Sequence, residues 1–361
     1  MVNYYICATP YHVINSIFIK KNYYDTDTNI MLLTNNCKNA NVIINRLANE
    51  SVFEQCFYID DTDLRSDESG RIKHYRLLLE RFFDQTLIDN YIKLEISADR
   101  VIVFSFTMFN MLVQSRLAEQ NKQLEICVGE DGIRDYIYED FGISESAWFK
   151  AVKCMRNYSG HPLITLPDNY KRFLYRPQLR KILYDDDSSL SILTSFGVKE
   201  SLELVNRIFE YSPDANIQQK YIFFDSVYNH DLMNLQKKMV YEINQQCHNF
   251  ILKQHPRNTE TYEGILVYQY SYIPWEVICM NCDLSNHVLI AVNSNACFSP
   301  KFMLNSEPKI IFLYKLFFQE KEYKDTEKLV TLLWKTYSNK ERIMIPSTIE
   351  ELKEILLGCE E

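Results

Sequence analysis

The strongest constraint on this chain is a rhythm. Through residues 1–150, short apolar runs alternate with stretches whose apolar residues recur three and four positions apart. Short apolar runs read as buried strands, and three/four spacing reads as amphipathic helix. Strict alternation of the two builds a parallel sheet with helices on both faces. The expected strands are Val2–Ala8, Asn29–Thr34, Val52–Ile59, Val101–Phe106 and Leu124–Val128. Pro10 opens the first helix, which runs to about Lys21, since its fixed φ suits a first helical turn. Ala40–Asn49 is the second helix, and Thr107 can cap the one after the fourth strand. Ile72, Tyr75, Leu79, Phe82 and Phe83 predict a long helix over Ser66–Tyr91.

Punctuation changes near residue 155. Pro162, Pro167, Pro177 and Pro213 follow in close order, with Asp185-Asp186-Asp187-Ser188-Ser189 among them. Residues 156–215 therefore read as an irregular connection and insertion. Alternation resumes with strands Tyr221–Phe224, Phe250–Gln254, Val288–Val292 and Lys309–Tyr314 and helix Asp231–Gln246. Ser347 and Glu350 have capping-box spacing before the terminal helix. The expected class is α/β, with Rossmann-like β/α/β domains at 1–155 and 216–361 facing a central cleft.

Composition narrows the function. A chain of 361 residues suits two domains, and 47% hydrophobic with 24% charged residues excludes disorder as the main state. Neither GxGxxG nor GxxxxGK[ST] occurs, and Gly numbers only 8, so a classical NAD fold and a P-loop NTPase lose their warrant. A net charge of −9 argues against a nucleic-acid partner. The densest basic cluster, Arg71, Lys73, His74 and Arg76, reads as a solvated helix face or as a contact to an anionic lipid or acceptor. Ten Cys are irregularly spaced, and the one CxxC pair, Cys279 and Cys282, has no second pair, so no zinc site is expected. That usage fits a reduced, cytoplasmic protein. The start MVNYYICATPYHV does not read as a signal peptide. No apolar run approaches the roughly 20 residues of a membrane span. Any membrane contact is then expected to be peripheral, at the inner face of the cytoplasmic membrane. A homodimer is left open.

Ligands of open parallel sheets collect at the carboxyl ends of strands. Four such ends carry polar residues: Thr9, Pro10, Tyr11 and His12; Glu130, Asp131 and Gly132; His255, Pro256 and Arg257; and Asn293 with Ser294. Asp131, between Gly129 and Gly132, leaves room for a substrate, and two adjacent acids repel, which raises one pKa toward a general base. Asp-Gly is also a standard turn dipeptide. Strand alternation puts Lys253 and His255 on one face, and Arg257 follows the bend at Pro256, so three nitrogen side chains form an anion site. A structural His before a turn is the plainer account. Ser294 precedes a helix, where a hydroxyl and backbone N–H groups can meet phosphate or simply cap. Glu276, in Pro274-Trp275-Glu276, can accept from ribose hydroxyls or a base amino group, or serve as a helix-start acid. His161-Pro162 lacks a strand before it, and Asp61-Thr62-Asp63 reads as a solvated loop rather than a metal-nucleotide site.

Taken in order, Thr9-Pro10-Tyr11-His12, Glu130-Asp131-Gly132, Lys253-x-His255-Pro256, Pro274-x-Glu276 and the Ser294 turn resemble the bacterial sialyltransferases. Those carry a D/E-D/E-G motif, an HP motif and a downstream Ser/Thr motif. The pattern is most similar to glycosyltransferase family 52, the lipooligosaccharide and capsule sialyltransferases, over roughly residues 1–315. The resemblance implies a GT-B-like fold, CMP-sialic acid as donor, inversion at the anomeric carbon and no metal or cofactor. It makes Asp131 the base, with Asp225 as second choice, and has Glu130 shape that pKa or bind acceptor. His255 would stabilise the leaving phosphate with Lys253, Pro256, Arg257, Asn293 and Ser294 around it, and Glu276 would meet the nucleotide. Thr9, Pro10, Tyr11 and His12 would face an oligosaccharide or lipid-linked glycan acceptor. The competing readings are the same fold with another nucleotide sugar, told apart by which nucleotide is released, and a non-catalytic glycan-binding protein.

Overall fold

A computed structural model describes residues 1–64, 87–136, 170–184, 189–192 and 198–360. The chain divides into two compact units, Met1–Ile208 and Phe209–Glu361. The expected 66–86 stretch with Arg71, Lys73, His74 and Arg76 lies outside the described residues, as do His161-Pro162, Pro167 and Asp185–Ser188.

The first unit is built on seven strands: β1 (Val2–Cys7), β2 (Thr28–Thr34), β3 (Gln55–Ile59), β4 (Arg100–Val103), β5 (Glu125–Gly129), β6 (Lys171–Leu174) and β7 (Ser189–Ser191). Their order is β3-β2-β1-β4-β5-β6-β7, every pair parallel. Covered on both faces, the inner strands read as continuous apolar runs, and Ile30–Leu33 and Val101–Val103 are fully buried. One core layer gathers Tyr4, Ile6, Leu32, Val101, Val103, Phe109, Val113 and Val128. Chain order reverses between β1 and β4, which is the topological switch point where such sheets take their ligands.

Residues 156–215 are a correction to the sequence reading. Where described, this stretch supplies β6, β7 and helices Pro177–Tyr184 and Val198–Ile208, so the first unit extends to Ile208. The helix Val198–Ile208 packs on helices Pro10–Tyr23 and Ala40–Asn49. The reason for the miss is physical. β6 opens Lys-Arg and β7 is Ser-Leu-Ser, too short and polar for an apolar-run signal. Yet Arg172 is buried, because its guanidinium finds the Asp135 carbonyl at 3.1 Å. The fourth strand also stops at Val103 instead of Phe106, releasing Phe104 from the sheet.

Asp61-Thr62-Asp63 enters a short 3-10 turn, Thr62–Leu64. There Asp60 Oδ1 accepts from Asn35 Nδ2 at 2.5 Å and from the Thr62 N–H at 3.1 Å. The loop is hydrogen-bonded, but Asp61 is buried, so it is not the solvated loop that its polarity implies.

The second unit holds β8 (Tyr221–Phe224), β9 (Phe250–Lys253), β10 (Val288–Ala291), β11 (Lys309–Phe312) and β12 (Ile343–Met344). Their order is β12-β11-β10-β8-β9, again all parallel. Here the switch point lies between β8 and β10. The terminal helix, Ile349–Glu360, is capped one residue later than expected. Thr348 Oγ1 accepts from the Glu351 N–H at 3.1 Å, and Glu351 accepts from the Ser347 N–H at 2.6 Å. Ser347/Glu350 and Thr348/Glu351 have the same spacing, so the pattern alone does not choose between them.

Among the described residues, no helix is long and apolar enough to cross a membrane.

Candidate functional site

At the first switch point, the turn after β1 starts helix Pro10–Tyr23. Thr9 is its N-cap, its Oγ1 accepting from the His12 N–H at 3.2 Å, and Pro10 fills the first helical position. These two residues shape the helix start. His12, in that first turn, points inward and is 1% exposed, so it is not open to an acceptor as the resemblance implied. Its ring stacks on Phe104, centroids 4.8 Å apart and planes 15° apart. The Ala8 N–H donates to Nδ1 at 3.1 Å, and Nε2 lies 2.5 Å from Asp131 Oδ1. A nitrogen that accepts a backbone N–H carries no proton, so the proton of the neutral ring sits on Nε2 and is donated to Asp131.

The two neighbouring acids part company. Asp131 keeps half its side-chain surface exposed. Glu130 is buried: Oε1 accepts from Tyr11 Oη at 2.7 Å, and Oε2 accepts from Tyr136 Oη at 2.5 Å and the Tyr175 N–H at 2.9 Å. Burial pushes its carboxyl up to about 7 against the pull of those bonds. Direct contact of Glu130 with an acceptor is thus not what this arrangement offers. Asp135, missed in the sequence, holds the turn from behind. Its Oδ2 accepts from the Asp131 N–H at 2.6 Å and the Gly132 N–H at 3.4 Å, and burial pushes it too up to about 7. Its spacing after Gly132 was the available signal. Gly129, just before Glu130, is in tight contact with Phe104: a Cβ there would lie 2.1 Å from the ring's Cε1.

These buried carboxyls set a pH dependence. Their folded pKa values exceed the unfolded ones, so the native chain holds more protons than the unfolded chain between about pH 4 and 7. Their contribution to stability falls as pH rises through that window. The melting temperature should decline from about pH 5 to about pH 8. Glu130→Gln, which cannot ionise, should decline by several degrees less, at roughly 2–4 °C per kcal/mol. Parallel melts of the two proteins check this; equal slopes would assign the trend to other groups.

In the second unit, Asp225 follows β8 and is buried. It accepts from the His255 N–H, from Asn258 Nδ2 at 2.5 Å and from Tyr262 Oη at 3.3 Å, and burial pushes it up to about 6. With its oxygens so engaged, Asp225 organises the loop after β9 and is poorly placed as the alternative base. His255 Nδ1 accepts from the Arg257 N–H at 3.1 Å, which again leaves the proton on Nε2. Partial burial and the Arg257 charge lower its pKa, favouring a neutral ring with one N–H donor at Nε2. Pro256 and Arg257 are exposed beside it.

Lys253, the third nitrogen of the expected anion site, ends β9. Burial lowers it to about 8, and the neighbouring Glu276 carboxylate pulls it back. Its Nζ lies 4.7 Å from the Tyr268 ring centroid. Glu276 is raised by burial and opposed by Lys253. On the far side of the switch point, Asn293 Oδ1 accepts from Tyr228 Oη at 2.6 Å. Ser294 caps a short 3-10 turn, Oγ accepting from the Ala296 N–H at 3.3 Å, and its hydroxyl proton can still be donated. Trp275 Nε1 props that turn through the Ala296 carbonyl at 2.8 Å. Among the described residues, no group of three or more His, Cys, Asp and Glu side chains is arranged to hold a metal ion.

Comparison with known proteins adds to this geometry. The glycotransferase of kitacinnamycin is similar in structure, with TM-score 0.54 and 10% identity over 99% of this chain and 90% of that one. A 2,6-sialyltransferase from Photobacterium sp. JT-ISH-224, solved with CMP and lactose, has TM-score 0.50 and 13% identity over 95% of this chain and 78% of that one. These likenesses show the fold: two Rossmann-like units of the GT-B class. A search of curated proteins by sequence gives no match. The family model for alpha-2,8-polysialyltransferase (POLYST) matches residues 3–301, which takes in both switch points. The chain belongs to the alpha-2,8-polysialyltransferase family and is a glycosyltransferase of the sialyl-transferring kind.

Proposed function

We propose that this protein transfers sialic acid from CMP-sialic acid to a hydroxyl of a bacterial surface glycan, a capsule, O-antigen or lipooligosaccharide chain, with inversion and without a metal ion. The observation that carries the reading is Asp131: an exposed carboxylate in the loop after β5, held at one oxygen by a buried imidazole from the helix that starts at the first switch point. In the proposed step Asp131 takes the proton of the acceptor hydroxyl as its oxygen bonds to the anomeric carbon. The bond from that carbon to the CMP phosphate breaks, and CMP leaves with the electron pair. His255 Nε2–H and the Ser294 hydroxyl donate to the phosphate oxygens as charge gathers there. The sugar passes through an oxocarbenium-like state. Sialic acid carries a carboxylate on the reacting carbon, which steadies that cation, so two hydrogen-bond donors are adequate leaving-group help. Glu276 is assigned to the nucleotide. The setting proposed is the cytoplasmic face of the inner membrane.

A second reading of the base has its own support. Glu130 sits near pH 7, the best range for general-base work, and Tyr11 Oη could hand it a proton. Asp131→Asn and Glu130→Gln separate the two.

The donor is tested by thermal shift. CMP at about 100 times its Kd should add about 2.7 kcal/mol of stability by linkage, while UDP and GDP should add nothing. Stabilisation by UDP or GDP alone would replace the donor with a nucleoside diphosphate sugar.

A further inference from the structure

We infer that His12 is a positioning residue that aims Asp131, and that this His-Asp pair runs with its usual roles exchanged. The inference rests on the reading of Asp131 as the base.

In the familiar arrangement a carboxylate orients an imidazole, and the imidazole's far nitrogen moves the proton. That arrangement is closed here. The far nitrogen of His12 is Nδ1, which is buried and already accepts from the Ala8 N–H. The near nitrogen, Nε2, carries a proton and cannot take another. The imidazole therefore has no free basic position, while Asp131 has one oxygen held and the other open.

Three independent contacts fix the ring. The Thr9 cap ties down the His12 backbone, the Ala8 N–H sets the tautomer, and Phe104 sets the ring plane. The Asp131 backbone is held by Asp135, but its side chain lies half exposed and is held at Oδ1 by His12. Ordering a side chain costs entropy at each turnover unless the fold has already done so. The donated Nε2–H supplies that order: it occupies Oδ1 and leaves Oδ2 for the incoming hydroxyl proton. His12 neither touches substrate nor relays the proton.

Two near-isosteric variants separate this from a structural role. In His12→Gln the amide nitrogen can reach Asp131, but the contact with Ala8 is lost. In His12→Asn the amide oxygen can reach the Ala8 N–H, but Asp131 is out of range. Kinetics of sialyl transfer should give His12→Gln a kcat within about threefold of wild type. His12→Asn should fall by about 10- to 100-fold, the scale of a misplaced catalytic group. The KM for CMP-sialic acid should stay unchanged in both. Added to Asp131→Asn, His12→Asn should cost nothing further, since neighbours acting through one another are non-additive. The reverse ranking, with Asn milder than Gln, or an undiminished second loss in the double variant, overturns the inference. Near-normal transfer by Asp131→Asn alone would instead remove the reading of Asp131 as base.

Discussion

Asp131→Asn is expected to lower sialyl transfer by about 10²–10⁴-fold, the range for loss of a positioned general base, and to leave CMP affinity intact. The amide keeps the size of the side chain and can still accept from His12 Nε2–H, so a loss of activity reports lost basicity. Calorimetry with CMP and a transfer assay on the same preparation provide the two readouts. Glu130→Gln is the counterpart. If Asp131 is the base, Glu130→Gln changes stability more than kcat. It retains one carbonyl acceptor but turns an NH₂ group either on Tyr11 or on the Tyr136 hydroxyl and Tyr175 N–H, donors that the carboxylate accepted. If Glu130→Gln abolishes transfer and Asp131→Asn does not, the base is Glu130, with Tyr11 as intermediary.

The second large effect belongs to His255. His255→Ala should reduce kcat by about 10²–10³-fold, as does removing one donor from a preorganised anion hole. The Nε2–H it removes is a neutral donor, fixed by the Arg257 N–H. Its loss should fall on the departure of CMP, so donors with a better leaving group should suffer less. A His255→Ala enzyme with unchanged kcat on CMP-sialic acid would move the role to Ser294 or Arg257.

Much of this was legible in the residues. The β/α alternation predicts both parallel sheets, because buried parallel strands are apolar runs. Asp131 and His255 stand at strand ends because the motif order and the strand pattern agree there. The order also resembled sialyltransferases, a class that the family match supports, although the matching family is that of the alpha-2,8-polysialyltransferases and the family 52 likeness stays a resemblance. What the sequence hid follows from burial. Arg172 and Glu130 look like surface charges, yet each is buried with hydrogen-bond partners that the linear chain keeps far apart, 37 residues to Asp135 and 45 to Tyr175. Likewise His12 looks like a residue offered to substrate until the helix start turns it inward. Nor does the linear chain show that burial draws the Lys253 ammonium down to about 8.

The contact between Gly129 and Phe104 carries an evolutionary consequence. The two positions cannot drift separately, because any side chain at 129 would displace the ring that keeps His12 flat. Homologous chains that place alanine or serine at the first position should carry something slimmer than phenylalanine at the second, so the pair should surface as a covarying couple across the lineage.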